Sequence, residues 1–128
     1  MFSLKVLTLC RVELNGSLPD EGWFELSNLH ELDLNENGFN GTLPSCFGRL
    51  TSMQSLDLFS NQFIRNLALP PLISLTTIEY LFISYNHFDI PPSFVLFFNH
   101  SKHKVLVGDN NRLSGQIEFQ TWIPRFQL

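Results

Sequence analysis

The stretch Leu29-His30-Glu31-Leu32-Asp33-Leu34-Asn35-Glu36-Asn37 reads LxxLxLxxN, and Met53-Gln54-Ser55-Leu56-Asp57-Leu58-Phe59-Ser60-Asn61 repeats it 24 residues later. Ile78 through Asn86 is another copy, IxxLxIxxN, offset by a further 25. Upstream, Leu4-Lys5-Val6-Leu7-Thr8-Leu9 opens an earlier copy in which Val12 stands at the asparagine position. Downstream, His103 through Asn111 is a degraded copy that keeps Leu106 and Asn111 but has Gly108 where an inward aliphatic is expected. A fixed period of this length marks stacked supersecondary units, each burying its apolar face against the next. The helical period of 3.6 does not produce it.

The motif has a physical cause. Two aliphatics two residues apart lie on one face of a short strand and point inward. The asparagine ends the strand, and its amide can bond backbone groups that the turn would otherwise bury without partners. Asn37, Asn61, Asn86 and Asn111 are therefore expected to stack as a ladder. Val12 cannot join it, so the first repeat is expected to be the least well ordered. A second apolar position follows in each copy: Leu14, Phe39, Phe63, Phe88 and Leu113. Two copies then read GxLP, at Gly16-Ser17-Leu18-Pro19 and Gly41-Thr42-Leu43-Pro44, and Gly115-Gln116-Ile117 is a partial third. Glycine permits a tight path and proline ends it. The stretch after it, such as Ser45 to Leu50, reads as one irregular or short helical turn. Pro92 suits the first position of a longer one over Ser93 to Phe98.

The expected fold is an α/β leucine-rich repeat solenoid with a parallel concave sheet and an irregular, short-helical convex side. It comprises about five repeats over 1–128, uncapped at both ends, with Phe126-Gln127-Leu128 reading as the opening of a sixth. The form LxxLxLxxNxFxGxLPxxFGxL, whole at Leu29 to Leu50, resembles the plant extracellular class of leucine-rich repeats. The wording of Leu18 to Leu26, Leu43 to Gly48 and Ile123 to Leu128 resembles the ectodomains of plant receptor-like proteins. That resemblance implies a segment of a cell-surface protein at the outer side of the plasma membrane. It implies perception of a peptide, protein or glycan ligand, in defence or development, with a co-receptor kinase as partner. It also implies a cysteine near Phe24 that this chain lacks, leaving Cys46 free. A secreted inhibitor of a cell-wall-degrading enzyme uses the same repeat, and a truncated remnant without function is a third reading.

Composition excludes other classes. The chain has 128 residues, is 44% hydrophobic and 16% charged, and is too apolar for a disordered chain. Thirteen phenylalanines give aromatic packing a large share of the core. A net charge of −4, with only Lys102 and Lys104 close together among the basic residues, argues against nucleic acid. No apolar run approaches the ~18 residues of a membrane span, and Met1 to Val6 lacks the pattern of a signal peptide. Cys10 and Cys46 make neither a disulfide framework nor a metal spacing. His100 and His103 lack further ligands, so neither metal nor cofactor is expected. No nucleophile elbow, phosphate loop or zinc-hydrolase motif occurs, and no enzymatic activity is expected.

By alignment, the outward strand positions are Val6, Thr8, Cys10 and Arg11; Glu31, Asp33, Asn35 and Glu36; Ser55, Asp57, Phe59 and Ser60; Tyr80, Phe82, Ser84 and Tyr85; and Val105, Val107, Asp109 and Asn110. Glu31, Asp33, Glu36 and Asp57 form an acidic part, and Phe59, Tyr80, Phe82 and Tyr85 an aromatic one. As a ligand surface, the aromatics anchor and the carboxylates select. As a plain exposed sheet, charges keep it soluble and aromatics pair across strands. Strands ~4.8 Å apart with ~3.3 Å per residue give five repeats ~320 Å² of sheet, well below the ~800 Å² per partner of a standard interface. A patch of a longer surface is the expectation. Asn15, Asn40 and Asn99 open N-glycosylation sequons, two of them in one phase of the repeat and all off the concave strands.

Overall fold

The computed structural model describes residues 4–66, 77–91, 105–113 and 125–127. Its first sheet is built from the strand positions of the repeat: β1 (Val6–Thr8), β3 (Glu31–Asp33), β5 (Ser55–Asp57), β7 (Tyr80–Phe82) and β9 (Val105–Val107). They pair in parallel in chain order, and the register is uniform: Leu7, Leu32, Leu56, Leu81 and Leu106 stand opposite one another from strand to strand. Uniform register follows from the period, because one residue of slip would turn every aliphatic out of the core. Leu32, Leu34, Leu56, Leu58, Leu81, Ile83 and Leu106 are all buried, whereas Leu7 and Leu9 are partly so. At Gly108 the inward space is filled from the preceding coil, where Ile83 and Ile90 lie at ordinary contact distance of the missing Cβ.

A second parallel sheet runs down the solenoid, which the sequence reading did not anticipate. It holds β2 (Asn15–Ser17), β4 (Gly38–Gly41), β6 (Gln62–Asn66), β8 (His87–Ile90) and β10 (Arg112–Leu113), each paired with the next in the stack. Its inward residues Phe39, Phe63 and Phe88 form a stacked column, with ring centroids 6.2 and 5.9 Å apart and planes within 13°. Beyond it the chain turns in 3-10 helices at Trp23–Leu26 and Ser45–Arg49. Trp23 meets Phe47 edge to face at 4.8 Å, and its indole N–H donates to the Pro19 carbonyl at 2.7 Å. The indole is thus buried with its one polar group satisfied. The longer turn expected over Ser93 to Phe98 lies outside the described residues.

The asparagine ladder has a direction. Asn61 accepts the Phe39 N–H on Oδ1 and donates through Nδ2 to the carbonyls of Leu34, Leu58 and Phe59. Asn86 does the same with Phe63 and with Leu58, Ile83 and Ser84. Asn111 serves Phe88 and Ile83 of the coil before it, and Asn37 serves Val12, Leu14 and Leu9. Each amide therefore ties its own turn to the preceding coil. Val12 takes no part in the ladder, and the N–H groups of its own coil are served by Asn37.

The residue before each ladder position is left-handed: Arg11, Glu36, Ser60, Tyr85 and Asn110 have φ of 55–61°. Five different side chains adopt one conformation, so the turn imposes it. Glycine matters one turn later. Gly16 and Gly41 have φ of 84° and 77°, and a Cβ on Gly41 would sit 2.8 Å from Ser17 Oγ. They stand opposite Phe39 and Phe63, and the residue in the same register opposite Phe88 is Arg65, with φ 90°. An L-residue there costs about 1–2 kcal/mol, and glycine gives back roughly 0.5–1 kcal/mol in unfolded-chain entropy. Arg65→Gly is therefore expected to stabilise the fold by about 0.5–1 kcal/mol. A thermal melt checks this, and a lower melting temperature contradicts it.

One strand departs from expectation. Arg125–Gln127 (β11) pairs antiparallel with β9, Phe126 opposite Leu106, where the sequence reading placed the opening of another parallel coil. In the other copies the strand occupies the third to fifth residues of the motif. Arg125–Gln127 lies ahead of that phase and takes the β9 edge by main-chain pairing.

Candidate functional site

The first sheet presents its outward side chains as rows, because parallel strands in register place equal motif positions side by side. One row runs Val6, Glu31, Ser55, Tyr80, Val105 and the next runs Thr8, Asp33, Asp57, Phe82, Val107. Beyond the strand ends follow the phases of Asn35, Phe59 and Ser84, then of Glu36, Ser60 and Tyr85. The acidic and aromatic residues named from the sequence fall into two adjoining parts of this face. Asp33 is opposite Asp57, and Asp57 is opposite Phe82.

The carboxylates have local duties. Asp33 accepts the Asn35 N–H at 3.0 Å, and Asp57 accepts the Phe59 N–H at 3.0 Å and the Asn35 side-chain amide at 3.2 Å. Each thereby closes the turn two residues on. Burial pushes the Asp57 carboxyl above the usual carboxylate range, and the neighbouring charges of Asp33 and Glu36 add to this, against the hydrogen bonds from Phe59 and Asn35. Glu36 is tied to Arg11 of the preceding coil, so its charge is matched at the surface. Arg112 pairs with Asp89 on the second sheet at 3.2 Å. Among the described residues, no basic side chain forms an ion pair with Glu31, Asp33 or Asp57.

The rings make two pairs. Tyr80 and Phe82 lie 6.5 Å apart with planes at 10°, and Phe59 meets Tyr85 edge to face at 5.5 Å. Tyr80 is 43% and Tyr85 53% exposed, so large apolar area faces solvent. Ser84 departs from the outward, exposed assignment. Leu81 and Ile83 fill the core, which turns Phe82 and Ser84 outward, yet Ser84 is only 2% exposed and its Oγ has no hydrogen-bond partner. It lies in the phase of Phe59 and next to Tyr85 in the chain. A buried hydroxyl without a partner costs about 1–3 kcal/mol. Nothing in the local sequence announces this burial, because alternation with Leu81 and Ile83 turns Ser84 outward.

Asn15 and Asn40 are exposed on β2 and β4, on the second sheet and off the concave face; Asn99 lies outside the described residues. Both cysteines are free, and the Cys46 thiol donates to the Asp20 carbonyl at 2.8 Å. It borders an open cavity of about 740 Å³ between the 3-10 turns, which Asp20, Glu21, Trp23 and Arg49 also line. Among the described residues no group of His, Cys, Asp and Glu has the arrangement to hold a metal ion, and no helix is long and apolar enough to cross a membrane.

Comparison with known proteins agrees with this geometry. The leucine rich repeat family profile matches residues 2–63. The LRR ectodomain of the receptor kinase SOBIR1 from Arabidopsis thaliana superposes with a TM-score of 0.69 at 32% identity, over 88% of this chain and 60% of that one. The chain is a plant-type leucine-rich repeat solenoid. The solenoid is 45% identical over its whole length to Cuscuta receptor 1 of Solanum lycopersicum. It is 36% identical over 88% of its length to Receptor-like protein 1 of Arabidopsis thaliana. It spans 12% and 11% of those two proteins.

Proposed function

We propose that this solenoid is a ligand-binding segment of a plant cell-surface receptor-like protein, acting by recognition without chemistry of its own. The observation that carries the reading is the outward face of the first sheet, where exposed Tyr80 and Tyr85 stand with Phe59 and Phe82 beside Glu31, Asp33 and Asp57, which form no ion pair with a basic side chain among the described residues. Rings held by a rigid stack present apolar area at little entropic cost, and buried aromatic anchors dominate binding energy. The similarity to plant receptor-like proteins supports an extracellular setting, a role in perceiving defence or developmental signals, and a co-receptor kinase as second partner. The patch is small against a standard interface, so it acts as part of a longer concave surface.

The test is Tyr80→Ala with Phe82→Ala in the full-length protein that carries these repeats. Truncating two anchors is expected to weaken ligand binding or ligand-triggered signalling by roughly 30- to 1000-fold, since such residues contribute about 1–2 kcal/mol each. Tyr80 is an exposed outward position, so surface abundance and the melting temperature should change little. Unchanged response to ligand, with the protein present at the surface, refutes the assignment.

A further inference from the structure

We propose that the seam between the acidic and aromatic halves is a subsite for a peptide unit with a basic side chain next to an apolar one, and that a main-chain amide of this peptide hydrogen-bonds Ser84 Oγ. The inference rests on the ligand-binding reading and names the chemistry of the ligand. Three observations meet at one place. Asp33 and Asp57 stand opposite each other on neighbouring strands, and no basic side chain forms an ion pair with either among the described residues. The next strand puts Phe82 opposite Asp57, with Phe59 and Tyr85 beyond the strand ends. Ser84, in the outward phase of that coil, is 2% exposed and holds the one buried side-chain polar atom without a partner among the described residues.

Each feature selects a different group. Two close carboxylates repel one another and favour a cation between them. Asp57 gains most, because burial, and after it the charges of Asp33 and Glu36, already disfavour its ionised form. Exposed rings favour an apolar side chain, which covers area now in water. The two requirements lie one strand apart, ~4.8 Å, a span that the side chains of neighbouring residues, their Cα atoms ~3.8 Å apart, cover when the peptide bends rather than lies fully extended. The serine hydroxyl both donates and accepts, so a main-chain amide or carbonyl brought to it satisfies it. An acidic ligand would place like charges together, and a purely apolar one would leave Asp33 and Asp57 without a counter-charge.

The experiment uses the full-length protein and three probes, N-acetyl-Arg-Phe-amide, N-acetyl-Glu-Phe-amide and N-acetyl-Arg-Ala-amide, followed by ligand-observed NMR titration. The Arg-Phe probe is expected to bind roughly fivefold or more tightly than either control. Asp57→Asn should remove its advantage over Glu-Phe, and Ser84→Ala should weaken all binding at this site by a few-fold while raising the melting temperature, since it deletes an unpaired buried hydroxyl. Equal binding of the three probes, preference for Glu-Phe, no binding, or binding unaltered by Asp57→Asn and Ser84→Ala each overturns the subsite. The receptor variant Tyr80→Ala with Phe82→Ala separates the two levels. If the probes bind alike and that variant loses them all, the concave reading stands and the charge selection falls. If that variant binds every probe and the natural ligand as before, both fall.

Discussion

Asn61→Ala is expected to destabilise the solenoid by about 3–5 kcal/mol, against about 1 kcal/mol for Asn37→Ala, although the two asparagines occupy the same motif position. The difference comes from burial. Asn61 is 6% exposed, its Oδ1 holds the buried Phe39 N–H, and its Nδ2 reaches the carbonyls of Leu34 and Leu58 on two successive coils. Removing the amide leaves a donor and at least one acceptor in a site closed to water, at about 1–3 kcal/mol for each group. Asn37 makes the same kinds of bond, but the Val12 and Leu14 N–H groups it accepts from lie near solvent, where water replaces the lost acceptor. Asn61→Asp should be at least as harmful as Asn61→Ala, because a carboxylate cannot donate to those carbonyls and its charge would be buried. Urea denaturation should show a lower midpoint with an unchanged slope. Equal losses at Asn37 and Asn61 would mean that burial does not set the cost, and negligible losses at both would mean that the aliphatic core alone holds the coils together.

The sequence made the first sheet legible for a definite reason. Leu32 and Leu56 recur at the period of one coil, and a uniform period forces a uniform register. The second sheet was not legible. Asn15–Ser17 and Gly38–Gly41 contain glycines, which are poor strand formers, and what makes them strands is a partner one coil away. Gly41 read as a turn from its neighbours and proves to be a strand residue with positive φ opposite Phe63. The ladder's phase could be read from spacing, but its direction could not, because an amide can serve the coil before or after it with the same sequence. Val12 takes no part in the ladder, yet the N–H groups of its coil are served by Asn37. At the candidate site the acidic and aromatic residues could be placed on one face by alternation alone. The burial of Ser84 could not, since alternation alone turns it outward and exposed.

The other large effect is expected at Phe63, the middle ring of the stacked column. Phe63 is fully buried, with Phe39 at 6.2 Å on one side and Phe88 at 5.9 Å on the other. Phe63→Ala should cost about 3–5 kcal/mol, the range for a buried aromatic truncated in a core that cannot collapse. Collapse is resisted here because the flanking rings belong to separate coils whose spacing is fixed by main-chain pairing in both sheets. The loss should be local in origin but propagate, since in a solenoid each coil is stabilised by its neighbours and an uncoupled interface divides the stack. Phe63→Leu keeps most of the apolar volume and should cost clearly less, about 1–2 kcal/mol. Phe39→Ala should fall below Phe63→Ala, because Phe39 is 7% exposed and faces only one ring in the column. Hydrogen exchange would separate this from a uniform weakening. Amides of β4 and β6 that bridge the truncated interface should lose protection before those of β7. A Phe63→Ala chain with native protection on both sides of the gap, and a melting temperature within a few degrees of wild type, would show that the column contributes little and that the first sheet carries the stability alone.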